Sequence, residues 1–261
     1  MNISGSTALI TGAARGIGAA TAEALAAAGA RVALVDIDGS GAAEVAAGIR
    51  DAGGSAQSWR CDVTAIADVV ALAAAVDSVL GVPDLLINNA YARQAARGTF
   101  DAPDIDTWKS AYDVNVLGYI RMHRSFLPAM MRRGSGYVVD TSSSLSIAPN
   151  PDAGLLLPYM ATKGAILGLA YGMRFALAGT GVGYSVFCPG LTDTRRAGET
   201  SVAAGAAAAP PATHAAAVLL AGIQRGDFLI CSEAGFEQTL ERMAAGRLDP
   251  LALGAKTREH L

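Results

Sequence analysis

Tyr159 and Lys163 stand four apart in Tyr159-Met160-Ala161-Thr162-Lys163, the spacing that puts two side chains on one face of a helix. A free tyrosine, with a pKa of about 10, is a poor base near neutral pH. An ammonium held beside it favours the phenolate and lowers that value. Such a pair could take a proton from an alcohol or return one to a carbonyl. Taken alone, it also fits a half-buried tyrosine beside a solvated lysine, and the rest of the chain must decide.

The elements that would position this pair begin at the N-terminus. Thr7-Ala8-Leu9-Ile10-Thr11 is a short apolar run followed at once by Gly12-Ala13-Ala14-Arg15-Gly16-Ile17-Gly18. A helix-forming stretch, 19–28, closes at Gly29, and Arg31-Val32-Ala33-Leu34-Val35 leads to Asp36. Strand, glycine turn, helix and strand in this order would bring backbone N–H groups and a helix N-terminus against a pyrophosphate. Asp36 lies eighteen residues after Gly18, where an acid at the end of the second strand accepts from adenosine ribose hydroxyls.

Farther on, a helix is expected over 40–52 and a short strand near Gln57-Ser58-Trp59-Arg60, leading to Cys61-Asp62-Val63-Thr64. Asp62 could accept from an adenine amino group or cap the next helix, a task Thr64 would perform equally. Val69, Leu72, Ala73, Val76 and Leu80 repeat at helical spacing and mark a core-facing helix. Asp84-Leu85-Leu86-Ile87 runs into Asn88-Asn89-Ala90-Tyr91, where the two amides could tie strand ends together or line a cofactor cleft. The spacing predicts a long helix over Trp108 to Met131, with Asn115 buried in its aliphatic middle and in need of partners. Pro128 is expected to bend or shorten its far end. A strand, Gly136 to Thr141, ends in Ser142-Ser143-Ser144 before the helix of Tyr159, and Val182 to Phe187 leads to Cys188-Pro189-Gly190-Leu191-Thr192-Asp193-Thr194.

Composition sets limits on the function. With 261 residues, 52% hydrophobic and 16% charged, the chain has ample material for one α/β core covered on both faces. A net charge of −3 shows no basic excess, which argues against a nucleic-acid partner. Cys61, Cys188 and Cys231 are scattered without a CxxC and read as buried thiols of a reducing cytoplasm. The first residues lack a basic region, and the apolar stretch 65–82 carries Asp68 and Asp77. Neither a signal peptide nor a membrane span is expected, and the chain reads as soluble. His123, His214 and His260 read as isolated, and no metal site is expected.

Together these features resemble the classical short-chain dehydrogenase/reductase family, over nearly the whole chain to about residue 194. The resemblance is carried by Thr11-Gly12-x-x-x-Gly16-Ile17-Gly18, Asp62-Val63, Asn88-Asn89-Ala90, Asn115, the serine cluster, Tyr159-x-x-x-Lys163 and Pro189-Gly190. It implies a Rossmann-type, doubly wound α/β fold with a largely parallel sheet in a single domain. It implies that Tyr159 is the acid/base, that Lys163 holds the nicotinamide ribose, and that Asn115 holds a water linking Lys163 to solvent. A serine would hydrogen-bond the substrate oxygen; alignment with the family pattern points to Ser143, with Ser142 and Ser144 as competitors and Ser142 the more structural. Gly12, Arg15, Gly16, Ile17, Gly18, Asp62, Val63, Asn89, Ala90, Pro189 and Gly190 would border the cofactor. Thr192 and Thr194 would lie beside the nicotinamide amide and the phosphates. Asp36 favours NAD over NADP, because a carboxylate there repels a 2′-phosphate, whereas Arg15 resembles the loop arginine of NADP-using relatives.

Three departures from the family pattern bear on the substrate and the assembly. Tyr91 replaces the usual glycine after Asn-Asn-Ala, and Ser143 lies 16 residues before Tyr159, more than is common in the family. The intervening loop holds Leu155-Leu156-Leu157, which would give the substrate pocket an apolar face or pack on a neighbouring subunit; Tyr91, Ser143, Leu145 and Leu156 are the expected pocket residues. The C-terminal extension near 232–261, with a polar helix at 237–245, lacks the ending of many tetrameric relatives. A homodimer through helices 108–131 and 159–178 is therefore expected, with a homotetramer as the alternative. The Ala-rich stretch 199–212, inside a substrate loop near 191–212, has the composition of a lid.

The expected function is NAD-dependent oxidation of a small to medium, mostly apolar secondary alcohol to its ketone, or the reverse. A non-enzymatic NAD(H)-binding sensor or scaffold is the alternative, and a sugar-nucleotide epimerase would need a longer C-terminal substrate domain.

Overall fold

The computed structural model describes residues 1–92, 103–195, 209–246 and 248. Among them, seven strands form one parallel sheet in the order β3-β2-β1-β4-β5-β6-β7. The strands are β1 (Thr7–Thr11), β2 (Arg31–Asp36), β3 (Ser55–Arg60), β4 (Leu85–Asn88), β5 (Gly136–Thr141), β6 (Val182–Cys188) and β7 (Leu229–Cys231). Every neighbouring pair is parallel, with Leu9 beside Ala33 and Leu86, and Val138 beside Tyr184. The central strands are buried along their whole length, as β1 and β4 show. A parallel sheet covered on both faces demands such unbroken apolar runs, so the doubly wound Rossmann-type fold expected from the sequence is the fold observed.

Helices cover the two faces. On one side lie α1 (Gly16–Ala27), α2 (Gly39–Asp51) and α7 (Ala212–Arg225), packed over Ala8, Ile10, Leu34, Ile87, Val139 and Phe187. On the other lie α3 (Ile66–Leu80), α5 (Gly118–Arg133) and α6 (Leu157–Ala176), packed over Leu9, Val35, Leu86, Val138, Tyr184 and Val186. Residues one apart on a strand thus enter opposite cores, as the two-residue period of a strand requires. The polar C-terminal helix α8 (Phe236–Ala245) sets Phe236 and Leu240 against the second core.

The long helix expected over 108–131 is a continuous helical path from α4 (Ile105–Tyr112) through α5, but a π-helical turn, Asp113–Leu117, interrupts it. The wider turn has Asn115 at its centre, and π-turns of this kind concentrate at functional sites. Pro128 does not shorten α5, which runs on to Arg133. It sits on the exposed side of the helix, where the carbonyl deprived of its N–H partner can turn to water. Of the three cysteines, Cys61 and Cys188 are buried as expected, but Cys231 is only partly so. No helix among the described residues is long and apolar enough to cross a membrane.

Candidate active site

The strand order turns back between β1 and β4, and in open α/β sheets the crevice beyond the carboxyl ends at such a point receives ligands. The residues singled out from the sequence follow the carboxyl ends of β1 to β6, with Asn115 on the π-turn and Tyr159 and Lys163 on α6.

The glycine loop is built for close approach. A Cβ on Gly18 would overlap the Gly12 carbonyl oxygen and sit 2.8 Å from the Asn89 amide nitrogen, and a Cβ on Gly12 would press on Ala90 at 2.8 Å. Gly16 faces Thr194 across the crevice, with only 3.0 Å between its notional Cβ and the Thr194 Cβ. Helix α1 opens from Arg15, which is exposed and provides no side-chain cap. The first N–H groups of a helix have no intrahelical acceptor, so this end presents donors and the positive pole of its dipole to an anion. The Asp36 carboxylate accepts from Ala14 N (2.9 Å) and Asp38 N (3.0 Å). It fastens the loop to β2 and retains acceptor capacity, since a carboxylate offers about four lone-pair sites. A loop this tight, an open helix terminus and an acid at the second strand's end fit a dinucleotide.

The strand-end amides and Asp62 make local bonds. Asn89 donates to the carbonyl oxygens of Thr11 and Gly12, both at 3.2 Å, and Asn88 donates to Asp140 at 2.8 Å. Both amides therefore tie strand ends. Asp62 accepts from the N–H (2.9 Å) and hydroxyl (2.7 Å) of Thr64, which pull its carboxyl below the ordinary range. It shapes the turn before α3, although the helix N-cap itself is Ala65. Val63 is buried against Gly118. Ile17 and Ala90 pack on the two cores, and the Thr192 hydroxyl closes onto the Gly190 carbonyl at 2.8 Å.

The three serines after β5 take three different roles. Ser142 donates to the Lys163 carbonyl oxygen at 2.7 Å, binding β5 to α6. Ser144 donates to Glu233 at 3.1 Å. Ser143, buried and extended, is the one hydrogen-bonded to Tyr159. Helix α6 starts with Pro158 in its first turn, which presets its backbone, and delivers Tyr159 and Lys163 to the crevice. The Lys163 ammonium is 2% exposed and donates to the Thr141 carbonyl at 2.7 Å. It lies 5.7 Å from the ring centres of both Tyr119 and Tyr159. From the π-turn, Asn115 accepts from Ala92 N (2.7 Å) and donates to the Thr162 hydroxyl (3.0 Å). It locks the turn to the loop after β4 and to the residue beside Lys163.

Burial sets the proton affinities, and it reverses one expectation. It pushes the Tyr159 hydroxyl up to about 12, against a downward pull from Ser143, with Tyr91 and Cys188 adding to the rise. It pulls Lys163 down to about 8, opposed by Cys188 and Asp140. The lowered tyrosine expected beside an ammonium is not what the folded chain holds. Withdrawal from water sets both directions, because it disfavours whichever form carries charge.

Tyr91 is 49% exposed yet within electrostatic reach of Tyr159, and Leu145 and Leu156 are half-buried on the two sides of the loop before α6. Residues 93–102 and 196–208, which include much of the expected substrate loop and lid, lie outside the described residues, as does the extension beyond 248. His123 is not isolated. It is buried and bonded to the fully buried Asp140 at 2.9 Å. A lone acid at the end of an apolar strand was the sequence signal for that pair. Glu233, which also accepts from Leu191 N at 3.3 Å, carried no such signal.

Comparison with known proteins agrees with this geometry. A family model described as short chain dehydrogenase matches residues 6–204. A ketoacyl reductase, HetN, of Nostoc sp. is 32% identical over 256 residues, covering 96% of this chain and 88% of that protein. A galactitol 2-dehydrogenase of Agrobacterium fabrum is 33% identical over 198 residues, covering 74% and 73%. The crystal structure of a short chain dehydrogenase/reductase from Burkholderia phymatum in complex with NAD superposes with a TM-score of 0.84 at 26% identity, covering 100% of this chain and 99% of that one.

The depressed Lys163 value makes a stability prediction with a definite sign. Its ordinary value is 10.5 and its folded value about 8, so the unfolded chain binds the extra proton between those pH values. Stability contributed through Lys163 must then rise with pH across that window, by about 3 kcal/mol. Urea unfolding of the wild type and Lys163→Met should show the wild type gaining on the variant from about pH 8 upward. A difference that stays flat to alkaline pH would mean that the ammonium is not desolvated.

Proposed function

Because this chain belongs to the short-chain dehydrogenase family, and so to a family of nicotinamide-dependent oxidoreductases, we propose that it interconverts a secondary alcohol and its ketone, using NAD. The observation that carries the reading is the Ser143–Tyr159 hydrogen bond, set one helical turn from a buried Lys163. A bound nicotinamide would supply the hydride chemistry, which leaves the protein to align the carbon, polarise the oxygen and move one proton.

The residues divide that work. Ser143 and Tyr159 point two hydroxyls at one place, where a carbonyl or carbinol oxygen would be held. Tyr159, kept protonated near neutral pH by burial, donates its proton to that oxygen during reduction and recovers it during oxidation. Lys163 provides the positive charge that steadies the developing oxyanion or phenolate and a donor for ribose hydroxyls. Asn115 fixes the backbone around Thr162, and with it the position of Lys163. Gly12, Gly16, Gly18 and the α1 terminus take the pyrophosphate, and Asp36 the adenosine ribose. Asp36 supports NAD over NADP through its charge; Arg15, exposed at the loop, and Arg60, in register with Asp36 across β2 and β3, are nearby cations that would favour a 2′-phosphate. The names of the two relatives above both denote reactions between a carbinol and a ketone, which supports the same reaction class here. Tyr91, Leu145 and Leu156 support a mostly apolar substrate of small to medium size.

Self-association fits the outer face of α5 and α6. Gly164, Gly168 and Gly172 leave open space along one stripe of α6 that continues to Phe175 (83% exposed), and Leu117 is exposed at the start of the other helix. Small residues let helix backbones approach closely, and exposed apolar groups of this size mark contact surfaces. A homodimer through this face is the assembly we propose, and Phe175→Glu should shift sedimentation from dimer toward monomer. A wild-type chain that sediments as a monomer at micromolar concentration would refute it.

The test of function is a panel of secondary alcohols with NAD and NADP and of ketones with the reduced cofactors, followed by reduced-nicotinamide absorbance. Turnover with NAD, lost by about a thousandfold or more in Tyr159→Phe while cofactor affinity is retained, is the expected result. Cofactor binding without turnover on any substrate would favour a sensor instead. Undiminished activity in the Phe variant would remove Tyr159 from the mechanism.

A further inference from the structure

Asp140 is a carboxylate with no exposed surface, at the penultimate position of β5. Replacing such a buried charge with an apolar group of like volume is often neutral or stabilising, so its presence needs a cause. Three donors surround it. Asn88 Nδ2 (2.8 Å) and His123 Nε2 (2.9 Å) reach Oδ1, and the Tyr184 hydroxyl (2.6 Å) reaches Oδ2. An ionised carboxylate only accepts, so His123 carries its proton on Nε2. Burial alone would raise the Asp140 carboxyl, but His123, Tyr184 and Asn88 together hold it below the ordinary value. None of these groups belongs to the proton-transfer set described above.

The next residue along the strand explains the arrangement. The Thr141 carbonyl is the acceptor for Lys163 Nζ at 2.7 Å, and the Tyr119 hydroxyl approaches the same oxygen at 3.4 Å. Asp140 therefore lies one residue from the anchor of the buried ammonium, on the face of the sheet that α5 and α6 cover. We propose that Asp140 is a positioning residue of the active site, its fixed and buried carboxylate serving as the counter-charge that keeps Lys163 an ammonium.

The other titratable groups facing Lys163 do not fill this role. They are Tyr119 and His123 from α5, Tyr184 and Cys188 from β6, Tyr159 from α6 itself and, through Tyr159, Tyr91 from the loop after β4. Burial raises Tyr119, Tyr159, Tyr184 and Cys188, which keeps all four neutral near neutral pH. His123 donates to the carboxylate and brings no negative charge. Asp140 is the one carboxylate acting on Lys163 among the described residues, and between two buried groups its attraction is little screened by solvent.

The inference rests on the proposed function only for its consequence, an ammonium in place when the oxygen of a substrate gains charge. Its test uses neither cofactor nor substrate. Urea unfolding of the full chain from about pH 6 to about pH 10 would compare the wild type, Lys163→Met, Asp140→Asn and the double variant. The wild-type and Lys163→Met difference locates the pH at which Lys163 releases its proton in the fold, and the other two repeat that measurement without the carboxylate. Asp140 acts on the ammonium in the raising direction, so removing it should lower the release pH, by about one unit, and this is the expected shift. An unchanged release pH in the Asn background would overturn the proposal. Asp140→Thr replaces Asp140→Asn in the same cycle if the amide does not fold. Tyr184→Phe removes one donor and leaves the charge, so it should lower the melting temperature and leave the release pH in place. A shift as large as that of Asp140→Asn would show packing, not charge, at work. An inactive wild-type chain would leave this measurement intact, and an unchanged release pH would leave the oxidoreductase reading intact.

Discussion

A cation withdrawn from water must be given partners inside the protein, and the Lys163 ammonium imposes that condition on everything around it. An isolated buried charge costs several kcal/mol even after relaxation. The chain meets the cost with a strand carbonyl from Thr141, two aromatic ring faces and an acid one residue away. Ser142 then clamps the Lys163 backbone to the end of β5. Asn115 holds Thr162 through a π-turn that an ordinary α-helix would not provide. Remove the burial, and Lys163 becomes a solvated surface lysine with no hold on Tyr159.

The same economy governs the cofactor side. Thr11, at the end of β1, accepts from the backbone N–H groups of Asn89 and Ala90, while the Asn89 amide reaches back to Thr11 and Gly12. The carboxyl ends of β1 and β4 are thus tied together beneath the glycine loop, and Asp36 ties the loop to β2. The bonds that hold this cradle form on folding, and preorganisation of that kind reduces the ordering cost of binding.

How much of this the sequence disclosed depended on how local each signal was. The apolar runs of β1 and β4, the glycine loop and the Tyr159–Lys163 spacing are short-range patterns, and each emerged where expected. The resemblance pointed to Ser143 and marked Ser142 as the more structural, but the partners of the three serines (Tyr159 for Ser143, the Lys163 carbonyl for Ser142, Glu233 for Ser144) lie far along the chain and came only from the fold. His123 looked isolated because its partner lies 17 positions away on the facing strand. Pro128 was expected to bend or shorten the end of α5, yet the helix runs on to Arg133, since the effect of a proline depends on which side of the helix meets water. Asp36 was legible as an acid at a strand end, but its bonds to the loop backbone came only from the fold.

The opposite displacements of Tyr159 and Lys163 have a joint consequence. Burial drives each toward its neutral form, yet near neutral pH a phenol at about 12 and an amine at about 8 leave one protonated hydroxyl and one ammonium. This is a proton-loaded site: in the reaction proposed above, Tyr159 would donate to a ketone oxygen as it stands and would accept from an alcohol only after losing its own proton. Lys163 is the charge that would steady the phenolate in either direction. Asp140, on the strand behind it, is the counter-charge proposed to sustain that ammonium.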